Sequence, residues 1–195
     1  MVLKNEKDQL MNNNTTQLLI IPGLGGSGEN HWQSFWSNKY ENVTRINQED
    51  WNQPNLENWL MELNNTIVKL NCPIILVAHS LAVSLVLHWT EIHSNSNIKG
   101  ALLVAPADVD SPIHTPEILR GFAKMPTSKL PFPSIVVASE NDDYVSLERA
   151  QYFAEKWGSD FINIGLKGHV NAESKLEFWE EGQIILQKLI QTTNQ

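Results

Sequence analysis

The chain has 195 residues, 42% hydrophobic and 18% charged, which fits one soluble globular domain with a sizeable core and excludes a disordered chain. Its net charge of −8 lacks the basic patch that nucleic acid requires, and no apolar run approaches the length of a membrane span. The single cysteine, Cys72, excludes an internal disulfide and a thiol-rich zinc site.

Residues Lys4 to Gln17 are polar, with Asn12-Asn13-Asn14 in their middle and no signal-peptide core. Residues 1–16 therefore read as a flexible leader, residues 17–195 as one domain, and the protein as cytoplasmic. Leu18-Leu19-Ile20-Ile21 reads as a buried parallel strand. It runs into the glycine-rich loop Pro22-Gly23-Leu24-Gly25-Gly26-Ser27-Gly28. The Walker lysine is missing, so a loop that brings backbone close to a reacting atom fits better than a phosphate cradle. A short helix follows at His31–Trp36, where His31 either lines a site or packs beside Trp32.

Val43–Ile46 reads as a second strand and Asp50–Pro54 as a loop. Asn55 caps a helix whose apolar face carries Leu56, Trp59, Leu60, Leu63, Ile67 and Leu70. Ile74–Val77 is a third strand, and a helix starts at Leu81 and carries Leu85, Val86 and Trp89. Between them Ala78, Ser80 and Ala82 place one hydroxyl among small neighbours. That is what a sharp strand-to-helix turn requires if its serine is to stand above a sheet, although alanines replace the usual flanking glycines. The same residues also suit an ordinary buried turn. His79 beside the serine is a site-lining or packing residue, and His88 and His93 read as packing or solvent residues.

Lys99–Val104 is a fourth strand. Six of the nine prolines then fall between Ala105 and Pro133, so 105–133 reads as a Pro-rich cap or long loop with one short helix near Pro116 to Phe122. The fifth strand, Ile135–Ala138, ends in the carboxylate-rich loop Ser139–Ser146. Ser146 caps a helix that runs to Trp157. Phe161–Ile164 is a sixth strand, followed by the loop Gly165–Asn171 with His169 and a last helix to about Ile190. Strands alternating with helices predict a parallel sheet covered on both faces.

Ser80, the acidic loop and His169 follow the third, fifth and sixth strands, so all three should emerge at the carboxyl edge, where ligands bind. Serine becomes a nucleophile when a histidine takes its proton, and that histidine needs an acid to hold its tautomer. The order serine, acid, histidine is that of α/β-hydrolases. In that fold the N–H after the nucleophile, here Leu81, and one from the loop after the first core strand, by position Leu24, hold the oxyanion, with Gly23 beside them.

The sequence also resembles the serine hydrolase family of retinoblastoma-binding protein 9 and bacterial YdeN, from about Leu18 to Gly182. The resemblance rests on PGLGGSGENHW (Pro22–Trp32), DWNQP (Asp50–Pro54) with Trp59, and AHSLA (Ala78–Ala82). It continues in LPFPS (Leu130–Ser134), ASENDDYVS (Ala138–Ser146), Trp157-Gly158 and GHVNAES (Gly168–Ser174). It implies a compact α/β-hydrolase fold of about six strands in the order 2-1-3-4-5-6, no cofactor, and Ser80, Asp142 and His169 as the triad. The family has Asp-Pro where this chain has Asp142-Asp143, so either aspartate competes for the acid's place. The expected function is hydrolysis of a small-molecule ester, thioester or amide through an acyl-enzyme on Ser80, with no metal, nucleic acid or membrane. The competing reading is a catalytically silent binding protein with the same fold. The oligomeric state is not legible.

Overall fold

The computed structural model describes residues 16–193, and the leader expected over 1–16 lies, apart from Thr16, outside them. Among the described residues six strands form one sheet: β1 (Gln17–Ile21), β2 (Val43–Arg45), β3 (Ile74–His79), β4 (Ile98–Val104), β5 (Ser134–Ala138) and β6 (Asp160–Asn163). Their order is β2-β1-β3-β4-β5-β6, the order the family resemblance implies, and every pairing is parallel. The helices are α1 (Trp32–Lys39), α2 (Leu56–Lys69), α3 (Leu81–Ile92), α4 (Leu147–Trp157) and α5 (Glu180–Thr193). β3 is buried along its whole length, as expected of a central parallel strand covered on both faces.

Alternation along the strands divides the core in two. Leu19, Ile21, Leu76 and Ala78 face α2, α3 and α4, which contribute Leu63, Leu85 and Phe153. Leu18, Ile20, Ile75 and Val77 face α1 and α5, which contribute Trp32, Trp36, Leu186 and Leu189. Each such large side chain is worth about 1.5–3 kcal/mol on burial. The caps follow the sequence: the Asn55 side chain accepts from the Asn58 N–H at 3.0 Å and the Ser146 hydroxyl from the Arg149 N–H at 3.2 Å.

Residues 105–133 contain one 3₁₀ turn, Glu117–Phe122, and are otherwise irregular. They do more than roof the sheet: Leu119, Phe122, Met125, Leu130 and Phe132 all enter the core. Arg120 organises the segment by donating to the carbonyls of Val109, Ser111 and Thr115 and to the Thr115 hydroxyl, at 2.6–2.8 Å. The segment is fastened to the loop after β5. The Asp108 N–H donates to the Tyr144 carbonyl at 3.0 Å, and Arg149 pairs with Asp108 at 3.1 Å and Asp110 at 3.2 Å.

The chain between His169 and the last helix departs from expectation. A 3₁₀ turn at Ala172–Ser174 is followed by left-handed backbone at Lys175, Glu177 and Trp179, and α5 starts only at Glu180. The buried Trp179 ring lies where any side chain at position 182 would stand, so Gly182 lets that ring fold back onto the helix. β6 begins and ends one residue earlier than predicted, and β2 stops at Arg45.

Candidate active site

Ser80 sits where β3 becomes α3, with φ 59° and ψ −122°. That is a rare conformation for a residue with a side chain, and it lifts the hydroxyl off the end of the sheet. The turn is tight because Gly23 passes beside it. A Cβ at Gly23 would stand 2.8 Å from the His79 carbonyl, 3.0 Å from the Ser80 Cβ and 3.1 Å from the Leu81 nitrogen. The glycine-rich loop is therefore pressed against the helix start. The Leu24 and Leu81 N–H groups donate to no protein acceptor among the described residues.

The loop itself is held from several sides. Arg45 donates to the carbonyls of Gly26 and Ser27 and to the Ser34 hydroxyl. Burial lowers the Arg45 pKa from its ordinary value. The Gly25 N–H donates to the Trp51 carbonyl at 2.9 Å, and the Trp51 ring covers Gly26. Gln33, fully buried, accepts from the Ser27 hydroxyl at 2.7 Å and donates to the carbonyls of Ile21 and Val77. It thus ties the ends of β1 and β3 together, a role for which its sequence position carries no signal.

His169 reaches Ser80 from the loop after β6. Its Nε2 lies 2.7 Å from the Ser80 Oγ, and its Nδ1 lies 2.8 and 2.9 Å from the two Asp142 carboxylate oxygens. The carboxylate accepts only, so Nδ1 carries the proton, and Nε2 is free to accept from the serine hydroxyl. The Asp142 side chain is wholly buried, and the Tyr144 N–H holds it at 2.8 Å. Asp143 is exposed, and its carbonyl accepts from His114 at 3.0 Å.

Leu24, His31, His79, Ser80 and His169 line one cleft of about 310 Å³. Gly23 lies beneath it, and Asp142 stands behind His169. Further wall residues come from segments the sequence placed near the site without naming these positions: Leu119 from the cap, Tyr144 from the acidic loop, and Asn171 and Glu173 beside His169. The Tyr144 ring lies 4.2 Å from the His169 ring between centroids. Tyr144 could have been suspected only through its adjacency to the acidic pair.

His31 and His79 are both nearly inaccessible, at 4% exposure each. His31 caps α1 by accepting the Gln33 N–H at its Nδ1, 3.1 Å away, so its proton rests on Nε2, which is buried without a partner. Burial pushes its pKa down to about 3, with Arg45 and His169 adding to the effect. His79 is likewise held well below its ordinary value, first by burial and then by His31 and His169. Both rings are neutral at neutral pH. Among the described residues no group of three or more His, Cys, Asp or Glu side chains is placed to hold a metal ion, and no helix is long and apolar enough to cross a membrane.

The chain is similar to solved structures over nearly its whole length. A YdeN-like hydrolase from Pectobacterium atrosepticum is 29% identical, with a TM-score of 0.84 over 96% of this chain and 97% of that one. The ydeN gene product of B. subtilis is 22% identical, with a TM-score of 0.74 over 91% and 100%. Est1E from Butyrivibrio proteoclasticus shares the fold at 16% identity, with a TM-score of 0.68 over 91% and 90%. No curated protein matches the chain. Residues 18–188 match the serine hydrolase family across the sheet, both covering layers and the cleft, and the chain belongs to that family.

Proposed function

We propose that the protein hydrolyses small carboxylic esters, thioesters or amides through an acyl-enzyme on Ser80. One observation carries the reading: the His169 ring bridges Ser80 and Asp142 with all three bonds at 2.7–2.9 Å. His169 Nε2 takes the hydroxyl proton as Ser80 Oγ attacks the carbonyl carbon, and Asp142 steadies the imidazolium. The carbonyl oxygen, now an anion, accepts from the Leu24 and Leu81 N–H groups, aided by the positive end of α3. Collapse expels the alcohol, thiol or amine, which leaves with the proton from His169. Water then repeats the sequence, with His169 as base, and releases the carboxylic acid and free Ser80. No step requires a cofactor. The cleft volume stands near the lower end of small-molecule sites, and Leu24, Leu119 and Tyr144 supply its apolar wall, which suits a short acyl group.

A fluorophosphonate probe followed by mass mapping tests this. One adduct is expected at Ser80, absent in Ser80→Ala and much reduced in His169→Ala. The buried hydroxyl of Ser84, which faces the Phe122 carbonyl at 3.4 Å, should stay unlabelled. With 4-nitrophenyl esters, acetate to butyrate should be cleaved faster than octanoate. A folded wild type that never labels would leave the catalytically silent binding protein as the better reading.

A further inference from the structure

The loop that carries His169 is strained. Gly168 has φ 57°, and Val170, a β-branched residue, has φ 50°. A residue of that type in left-handed backbone costs roughly 1–3 kcal/mol and persists only where its surroundings hold it. On the upstream side, the Lys167 N–H donates to the Ser139 hydroxyl at 2.9 Å and the Gly168 N–H to the Asn141 side chain at 2.8 Å. On the downstream side, two consecutive carbonyls are each taken by a buried ring. His79 Nε2–H donates to the His169 carbonyl at 2.9 Å, and Trp32 Nε1–H donates to the Val170 carbonyl at 2.8 Å. The donors come from the end of β3 and the start of α1, both anchored in the core, and Trp32 is fully buried. The His79 and His169 rings also lie 5.0 Å apart between centroids.

We propose that His79 and Trp32 are positioning residues that clamp the strained His169–Val170 backbone and thereby set the His169 ring at proton-transfer distance from Ser80. The inference rests on the reading of Ser80 and His169 as nucleophile and base. The arrangement couples the two sides of the reaction directly. The residue that fixes the base is the immediate chain neighbour of the nucleophile, so a shift of the turn at Ser80 carries the base with it. Neither clamp residue exchanges a proton with substrate. His79 acts only as a donor, a role its neutral ring fills through Nε2–H. Releasing the His169 carbonyl would let the loop relax toward ordinary backbone angles, and a displacement of about 1 Å at a reacting group costs about 10²-fold in rate.

The test compares His79→Phe, which keeps a ring but loses the donor, with His79→Gln, which restores an N–H. Trp32→Phe serves as an independent removal of the second donor. Each is measured by steady-state hydrolysis of 4-nitrophenyl acetate, by the rate of fluorophosphonate labelling at Ser80, and by thermal unfolding. For folded His79→Phe, kcat and the labelling rate should fall together by about 10–100-fold with KM nearly unchanged. His79→Gln should recover most of the loss, and Trp32→Phe should lower kcat by a smaller factor. Wild-type kcat and labelling in both donor-deleted variants would overturn the clamp while leaving the reaction itself intact. So would a loss in His79→Phe that His79→Gln fails to restore. Should His79→Phe not fold, unchanged kcat in Trp32→Phe would overturn the clamp. A wild type that is not labelled at Ser80 would instead remove the reading beneath it.

Discussion

Asp142 and Asp143 are adjacent, yet they occupy opposite environments. The Asp142 carboxylate is buried against the His169 ring, while Asp143 faces solvent and offers only its carbonyl, to His114. The chain turns at this point, and the Tyr144 N–H donates to the Asp142 carboxylate two residues back, so the turn holds one aspartate against the histidine and leaves the other outside. Asp142→Asn should therefore stay folded and lose about 10⁴ in kcat, because the amide cannot hold the productive tautomer. Asp143→Asn should keep activity within a few-fold. Parallel kinetics on the two variants check this, and the reverse result would move the acid to Asp143.

Gly23 permits the contact between the glycine-rich loop and the turn at Ser80. In Gly23→Ala the added methyl meets backbone, the His79 carbonyl at 2.8 Å and the Leu81 nitrogen at 3.1 Å, which cannot swing aside as a side chain could. The loop must retreat and take the Leu24 N–H with it. A loss of about 10²–10³ in kcat, the cost of one oxyanion donor, is expected with the fold retained. Circular dichroism beside ester kinetics tests it, and near-normal turnover would count against Leu24 as a donor.

Burial of His31 makes stability depend on pH. The unfolded chain binds a proton at His31 near its ordinary value of 6.5, whereas the folded chain resists until about 3. Between those values the unfolded state binds more protons, so stability falls as pH drops from 6.5 toward 3 and levels off below. His79 acts in the same direction. His31→Asn keeps a good helix cap but cannot titrate. Urea unfolding between pH 7 and pH 4 should show a loss on the order of a few kcal/mol in wild type and a flatter dependence in His31→Asn. Equal slopes would contradict the assignment.

Arg120 holds four acceptors of the cap segment, three of them carbonyls. Arg120→Met should cost about 2–3 kcal/mol, since hydrogen bonds to a charged donor are lost and their acceptors stranded. Because its neighbour Leu119 lines the cleft, KM should rise several-fold while kcat changes less. Removing residues 105–133 altogether should unfold the protein, because that segment fills part of the core. A folded, active deletion would show that its apolar side chains are dispensable.

The alternation of apolar strand runs with amphipathic helices was enough to predict a parallel sheet covered on both faces, while its strand order came from the family resemblance alone, because many orders bury the same runs equally well. Helix caps at Asn55 and Ser146 were equally legible, because a cap is a contact between residues three apart. The serine turn was legible for a similar reason: its small neighbours are a local steric demand. The acidic loop and His169 were expected at the carboxyl edge of the sheet from their positions, and the family resemblance named Asp142, but the residue pattern itself did not choose between the two aspartates, and the fold sets the Asp142 carboxylate against the imidazole. That choice depends on the direction of side chains from two loops whose residues lie 27 apart in the chain.

Long-range packing decided the rest. The end of the His169 loop, the late start of α5 and the return of Trp179 onto Gly182 have no local period to betray them. The hydrogen bonds from His79 and Trp32 to consecutive carbonyls join residues 90 and 138 apart. No sequence pattern marks a donor whose acceptor is the backbone of any residue that arrives. Only tertiary structure, by burying those rings beside a strained loop, made them the supports of the site.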